Sequence, residues 1–546
     1  MTRTDSSGRL STALLLLGLV VSWEIVGENA LVARGALPAP SAILVHLWSD
    51  RADYGPHILA TVQSATIGFL VGNVVAIAAA LIFVRLPLVE QLSRGFNIAI
   101  FAIPPIAIAP VLVLALKGDW PRIALAGLAV YFPTMTAMSV GLRDVDPRAT
   151  DVVRAYGGGP NAILRWIRLR SSLPALLGGL QVAAPNAVLG AMLAEFGSGA
   201  RWGLGTYLLG SLGRADPARL WGIGLVATVI SGLAYAIPAI VAVLVTGRSR
   251  AVTIAPAPAS LRSLQPTRPL TRMLVLLASI LVPLLLWWAL VAMSGLPSIV
   301  VKSPTGVFRY LVTDASAPSA QARLFVALAT TIPLTIVGVA AGLIFAFGLA
   351  TAGLLVPGVV RALMPVALVS QTMPLVALTP LLVLLLGRGT TVTMVITISV
   401  TFFPAFVTLA RGFAMVPRAA FDLVRAYGGD GYQRLSLIAV PASLPYLFAA
   451  AKLAVPRALL GVMIAEWLAT GGGLGDLLNR SRGTLDYGMI WSVAFVSVVL
   501  SIGLYQLIAL AENLIGVGDL RMLKQSTMGK ANSQRSDSDH ARNAPP

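Results

Sequence analysis

The chain has 546 residues, of which 57% are hydrophobic and only 11% are charged. A soluble domain carries about a quarter charged residues, and a single water-soluble core stops growing beyond roughly 250–300 residues. These proportions exclude an ordinary soluble protein and predict an integral protein of the lipid bilayer. The sequence has no cysteine, which excludes disulfides. Its three histidines are far apart in the chain, so no histidine metal cluster is predicted.

The formal charge of +18 suggests a nucleic-acid partner at first sight. However, no basic groove interleaved with aromatic residues is visible in the sequence. Lys and Arg are retained on the cytoplasmic side of membrane proteins, so their clustering between apolar spans is a topology signal. It predicts cytoplasmic N- and C-termini and no nucleic-acid partner.

Hydropathy predicts about six apolar spans in each half of the chain. In the first half they lie near residues 12–27, 58–84, 95–116, 121–141, 175–196 and 220–246. In the second half they lie near residues 273–294, 323–353, 361–386, 390–410, 445–469 and 487–515. The first span has the length of a cleaved signal peptide, but its counterpart lies in mid-chain, which favours a retained helix.

The two halves are copies of one unit. Asp151–Gly157 reads DVVRAYG, and Asp422–Gly428 reads DLVRAYG 271 residues later. An even number of spans per half makes the repeats parallel. The sequence therefore predicts an all-α membrane protein with about 12 transmembrane helices in two parallel six-helix repeats. Its predicted parts are a first domain, a cytoplasmic linker, a second domain and a disordered cytoplasmic tail, over residues 1–247, 248–272, 273–520 and 521–546.

A long loop separates the fourth and fifth spans of each half. In the first loop, Asp146 and Pro147 are typical of the start of a helix, and Gly157 can end it in the left-handed conformation. Asn161 is predicted to cap a second short helix from Ala162 to Leu169. Pro417, Gly428, Gly429 and Asp430 repeat this pattern in the second loop. Each loop is therefore predicted to form a helix, a glycine turn and another helix on the cytoplasmic surface.

These loops resemble those of the inner-membrane components of binding-protein-dependent ABC importers. That family has the pattern E-A-A-x-x-x-G, nine residues, then I-x-L-P. Gly428 is followed at this spacing by Ile438 to Pro441, whereas in the first loop Arg170 replaces the proline. Both copies begin with aspartate in place of glutamate. The proline-rich third spans, late glutamates and Gly-Leu-Gly segments look like the nitrate/sulfonate/taurine branch, which implies a type I importer fold.

The resemblance implies that each loop docks into a groove on a cytoplasmic ATPase. The implied partners are two ABC ATPase subunits and an extracytoplasmic solute-binding protein, at the cell (inner) membrane. An ordinary surface loop, with arginines that serve topology only, is the alternative. The implied coupling residues are Asp151, Arg154, Ala155, Gly157 and Ile167, with Asp422, Arg425, Ala426, Gly428, Ile438 and Pro441.

The expected translocation pathway rests on prolines and acids within the spans. Proline frees backbone carbonyls that must face protein or a water-filled cavity, although it can also simply kink a helix for packing. An acid in a membrane span is costly and is usually functional, although it can instead anchor an outer loop through backbone amides. The candidate residues are Pro104, Pro110, Glu195, Pro374, Pro380 and Glu466.

The sequence predicts a permease subunit without an enzymatic activity of its own. No G-x-x-x-x-G-K-[ST] phosphate loop and no catalytic constellation occur, so we expect no bound cofactor and ATP hydrolysis on a separate subunit. The cargo implied by the resemblance is a small solute of the nitrate/sulfonate/taurine or pyrimidine-precursor class. An ion-gradient-driven secondary transporter with parallel six-plus-six repeats is the main alternative, and a channel is a weaker one.

Overall fold

The computed structural model describes residues 17–214, 216–246, 269–355, 373–416 and 418–515. Within these ranges every regular element is a helix, and no strand occurs. Several sequence predictions fall wholly or partly outside the described residues: most of the linker, the tail, Pro417, and the starts of the first and ninth spans.

In the described ranges the first half contains a short 3-10 helix (Ala33–Gly35) and ten longer helices. They are α1 (Leu17–Glu28), α2 (Pro40–Ser49), α3 (Arg51–Arg85), α4 (Pro87–Ala102), α5 (Pro105–Ala115), α6 (Trp120–Arg143), α7 (Pro147–Ala155), α8 (Pro160–Ser198), α9 (Leu204–Leu212) and α10 (Pro217–Thr246).

The second half repeats this order where it is described. Its helices are α11 (Pro269–Met293), α12 (Pro304–Phe308), α13 (Ala317–Leu355), α14 (Leu375–Leu386), α15 (Thr390–Ala414), α16 (Arg418–Ala426), α17 (Gly431–Thr470), α18 (Gly473–Gly483) and α19 (Tyr487–Leu514). Across the described residues, 8 helices are long and apolar enough to cross a membrane, or up to 10 if each bent pair is one span. The chain is an all-α membrane protein, as its hydropathy predicts.

The third span of the first half is broken rather than straight. Hydropathy predicts one span over residues 95–116, but the segments Gly95–Ala102 and Pro105–Ala115 meet at 99°. Two adjacent prolines cause the break, because proline lacks the N–H of the helical ladder and forces the preceding residue out of the helical region. Ile103 accordingly has φ −64° and ψ 117°. In the second half, α14 likewise begins directly after an extended Pro374.

The broken spans join the two halves. Helix α5 of the first half packs against α17, α18 and α19 of the second. Reciprocally, α14 packs against α8, α9 and α10 of the first half. These equivalent contacts place α8 and α17 at the centre of the bundle. Each of the two is covered by helices of its own half and by the short helix, α14 or α5, of the other half.

Small residues allow neighbouring helices to approach closely in both halves. A Cβ on Gly72 of α3 would lie 2.6 Å from the carbonyl oxygen of Gly127 in α6 and 2.5 Å from Cγ2 of Val130. In the second half, a Cβ on Gly338 of α13 would lie 2.4 Å from Cγ2 of Thr397 in α15. Van der Waals packing through small residues is a main source of helix association in lipid, where no hydrophobic effect drives it.

We expect Gly72→Ala to destabilise the bundle by about 1–3 kcal/mol, because the added methyl group forces α3 away from the backbone of α6. The matched control is Gly55→Ala on the same helix, where nothing lies within 4 Å of the added Cβ. Thermal unfolding of the purified protein should show a lower midpoint for Gly72→Ala only. Equal midpoints for the two variants would contradict this account of the α3–α6 contact.

Candidate functional site

The first loop is fixed at both ends of α7. The carboxylate of Asp146 accepts a hydrogen bond from the backbone N–H of Arg148 at 2.9 Å, and Pro147 occupies the first turn. At the other end Gly157 has φ 77°, and the N–H of Gly158 donates to the carbonyl oxygen of Val153 at 2.8 Å. The predicted cap and left-handed turn are both confirmed as local structure.

The second loop has the same glycine turn, and its membrane helix starts with a cap of its own. Gly428 has φ 79°, and the N–H of Gly429 donates to the carbonyl oxygen of Val424 at 2.8 Å. The carboxylate of Asp430 accepts from the N–H of Gln433 at 2.8 Å, and the Gln433 side chain accepts from the N–H of Asp430 in return. This capping box fixes the start of the helix that follows.

The second helix of each loop is not a separate surface helix. We predicted that Asn161 caps a helix over residues 162–169, but this prediction was wrong. Pro160 starts the helix after the N-cap residue Gly159, with no side-chain cap, because proline suits the first turn. The helix then runs on to Ser198 as α8.

A π-helical turn marks the point where each loop enters the membrane helix. It covers Leu164–Arg168 in α8 and Leu435–Ala439 in α17, and it contains Ile167 and Ile438. The turn forms whether Arg170 or Pro441 follows it, so the missing proline of the first loop leaves the exit geometry unchanged. Single π-turns inside helices are frequent at functional sites.

Both loops present the same exposed surface. Most of the predicted coupling residues are solvent-exposed, namely Asp151, Arg154, Ala155, Gly157, Asp422, Arg425, Ala426, Gly428 and Pro441, while Ile167 and Ile438 are half-buried. Tyr156 and Tyr427 are 89% and 86% exposed, and they extend the set. The sequence prediction left these tyrosines out, although both copies of the repeated motif contain them at the same position.

At the far end of α8, a buried carboxylate holds the chain that follows. The Thr61 hydroxyl of α3 donates to Oε1 of Glu195 at 2.7 Å. Oε2 of Glu195 accepts from the N–H of Gly205 at 2.7 Å, while the N–H of Leu204 donates to Oγ1 of Thr61 at 2.8 Å. Glu195 thus ties α3, α8 and the start of α9 together.

The second half repeats this network atom by atom. The Thr331 hydroxyl of α13 donates to Oε1 of Glu466 at 2.7 Å. Oε2 of Glu466 accepts from the N–H of Gly475 at 2.9 Å, and the N–H of Leu474 donates to Oγ1 of Thr331 at 2.9 Å. We call each of these sets a glutamate lock.

Each lock requires a glycine beside the carboxylate. A Cβ on Gly203 would lie 2.4 Å from Cδ of Glu195, and a Cβ on Gly473 would lie 2.0 Å from Oε1 of Glu466. Their φ values of 150° and 87° are also in the region that favours glycine. These contacts are those expected of the anchoring alternative for the two glutamates. Their contribution to the pathway stays a prediction.

The four pathway prolines are buried where the halves meet. Pro104 and Pro110 belong to the α5 segment that packs on the second half, and Pro374 and Pro380 belong to the α14 segment that packs on the first. The structure thus brings them close to the central helices α8 and α17. A role for them in the solute route stays a prediction.

Two segments of the chain, residues 72–251 and 338–516, match the family described as the binding-protein-dependent transport system inner membrane component. The chain belongs to this family. Each matched segment contains one of the two glycine-turn loops and one of the two glutamate locks. The protein is therefore an ABC importer permease of the inner membrane, with two permease units in tandem, as the resemblance of its loops implies.

The individual relatives each match less than half of this chain. The riboflavin transport system permease protein RibX of Chloroflexus aurantiacus is 30% identical over 155 residues, which are 28% of this chain and 58% of the relative. A probable ABC transporter permease protein of Haemophilus influenzae is 27% identical over 226 residues, 41% of this chain and 88% of the relative.

The taurine transport system permease protein TauC of Escherichia coli is 23% identical over 242 residues, which are 43% of this chain and 88% of that relative. No solved structure matches the chain. The relatives transport chemically different solutes by their names, so similarity alone fixes the permease role and leaves the substrate open.

We expect Thr331→Val to destabilise the protein by about 1–3 kcal/mol, because it leaves the buried Glu466 carboxylate and an amide of α18 without their hydroxyl partner. Thr335→Val is the matched control, since that equally buried hydroxyl bonds only to the carbonyl oxygen of Thr331 in its own helix. Thermal unfolding of the purified protein should separate the two variants. Similar midpoints would contradict the lock.

Proposed function

We propose that one copy of this chain forms the whole transmembrane pathway of an ATP-driven importer, and that a separate subunit hydrolyses the ATP. The observation that carries the proposal is the pair of exposed loops with equal geometry, one in each half. Each has a short helix followed by a glycine turn and then a membrane helix. Two such loops on one polypeptide are suited to two ATPase subunits.

The surface of each loop supports docking into a groove. Alongside the exposed tyrosines, Val152 and Leu423 are 57% and 60% exposed at equivalent positions. Exposed apolar side chains on a short helix, flanked by charged residues such as Asp151 and Arg154, are typical of helix-in-groove recognition. A surface loop whose arginines only set the membrane topology would not need the same exposed apolar side chains in both halves.

The connection from each loop to the far side of the bundle is continuous. Helix α8 begins three residues after Gly157 and reaches Glu195 on the order of 50 Å away. There the glutamate lock binds the start of α9. A displacement of the loop by a partner therefore moves the far end of the same helix, which is the behaviour that alternating access requires.

We further propose that the loops and both termini lie in the cytoplasm, because the loops hold clusters of arginine. The opposite end would then receive solute from an extracytoplasmic binding protein. The proposed cargo is a small solute of the nitrate/sulfonate/taurine or pyrimidine-precursor class. Relatives that are named as formylaminopyrimidine, aliphatic sulfonate and taurine permeases support this class.

An ion-gradient-driven transporter is the second candidate. Such proteins use titratable acids within their spans. Here Glu195 and Glu466 bond to threonine hydroxyls and amides, and Glu512 of α19 pairs with Lys452 at 2.7 Å. These contacts favour structural roles for the three acids and therefore favour the ATP-driven proposal.

We expect the double variant Gly157→Val, Gly428→Val to abolish ATP-dependent uptake while membrane insertion is kept. A β-branched side chain in the left-handed region costs at least about 1–2 kcal/mol per turn and reorients α7 and α16 relative to α8 and α17. Uptake into cells or proteoliposomes, together with the amount of protein in the membrane, measures both effects.

The matched control is Gly159→Ser, since Gly159 has φ −82° and serine is a good N-cap residue. This variant should transport normally. Normal uptake by the double glycine variant would overturn the proposed role of the loops.

A further inference from the structure

Arg457 of the membrane helix α17 has no polar partner among the residues that the structure describes. It forms no hydrogen bond and no ion pair with any residue that the structure describes, and no charged group acts on it from nearby. Two other cations of the second half have partners. Lys452, on the same helix, pairs with Glu512, and Arg482 of α18 donates to the carbonyl oxygen of Phe196 at 2.8 Å.

The side of α17 that holds Arg457 faces the inside of the bundle. From residue 442 to residue 470 every residue of α17 is buried or half-buried. Leu460 and Ile464 follow Arg457 on the same helix face, and both belong to the core cluster that residues of the two halves form together. Ala454 and Ala458 pack against Val339 of α13 and against α19. Leu453 and Arg457 lie outside that contact, one turn apart, and both keep partial solvent exposure. This exposure therefore lies on the inner side of α17.

The other half supports the same assignment. Residues 174–198 of α8 contain no exposed residue either, and Val182 and Asn186 keep partial exposure at the positions equivalent to Leu453 and Arg457. Each central helix thus has a pair of partly exposed side chains on its inner side, which we call its interior stripe. The interior stripe of α17 carries a guanidinium, and that of α8 carries a neutral amide.

A cation in a membrane span is costly, and unpaired cations of this kind mark substrate or ion pathways. The planar guanidinium donates two parallel hydrogen bonds to carboxylate, sulfonate, nitrate or phosphate oxygens. We propose that Arg457 is an anion-binding residue of the translocation pathway, and that the transported solute carries an oxyanion group. This inference rests on the proposed function, because it assigns the chemistry of the solute that the permease carries.

The absence of cysteine from the sequence allows a test that needs no knowledge of the cargo. Leu453→Cys places one thiol on the chain, one helical turn from Arg457. The full chain, in lipid nanodiscs with and without its ATPase partner, is treated with a negatively charged sulfonatoethyl methanethiosulfonate. A parallel sample receives the positively charged trimethylammonioethyl reagent. The ratio of the anionic to the cationic reaction rate reports the local charge.

We expect this ratio to fall at least about tenfold when Arg457→Gln is added. The substitution removes one unit charge that lies one helical turn from the thiol, in surroundings of low dielectric constant. Arg457→Lys should keep most of the preference. The matched control is Val182→Cys beside Asn186, where the ratio should be low and should rise when Asn186→Arg is added.

Each other outcome overturns the inference. A thiol at position 453 that reacts without charge preference would show that Arg457 selects no anion. A thiol that reacts with neither reagent, with or without ATP and the ATPase, would show that this stripe is closed to water. Both results leave the proposed function standing, because ATP-dependent uptake is measured separately and fails only if the permease proposal fails.

Discussion

The buried carboxylate at the end of each central helix is the interaction on which the remaining geometry depends. Glu195 and Glu466 each hold a threonine of one helix and an amide of another, so three segments of each half meet at a single side chain. In a bilayer such groups have no water to bond, and every polar atom must find its partner within the protein. The lock therefore fixes the far end of each central helix to its neighbours. The helix between the loop and the lock can then move as one rigid element.

Duplication explains why the molecule has two such elements, and divergence explains why they are unequal. The hydrogen bonds of the locks, the glycine turns and the π-turns at the loop ends are repeated in the two halves. The interior stripes differ, since Arg457 stands where the first half has Asn186. We infer that selection kept the moving parts alike because both loops serve the same kind of partner. The side chains that face one asymmetric solute in a central pathway need not be equal in the two halves.

Much of this fold could be predicted from the sequence because lipid imposes long apolar helices and the repeat doubles every signal. The left-handed Gly157 and the Asp146 cap were predictable because their requirements are local. The threonine partners of the glutamates were missed, since Thr61 and Thr331 are ordinary residues of apolar helices until tertiary packing brings them to the carboxylates. The sharp break before Pro105 was missed because hydropathy records apolar length and carries no information on direction.

The most direct test of the central claim is contact between the loops and the ATPase. Tyr156→Cys and Tyr427→Cys introduce single thiols at equivalent, exposed positions of a chain that has no other cysteine. In membranes that hold the assembled importer, each thiol should form a short-range cross-link to an ATPase subunit, and ATP should change the yield. ATP-driven uptake without a cross-link at either position would contradict the account.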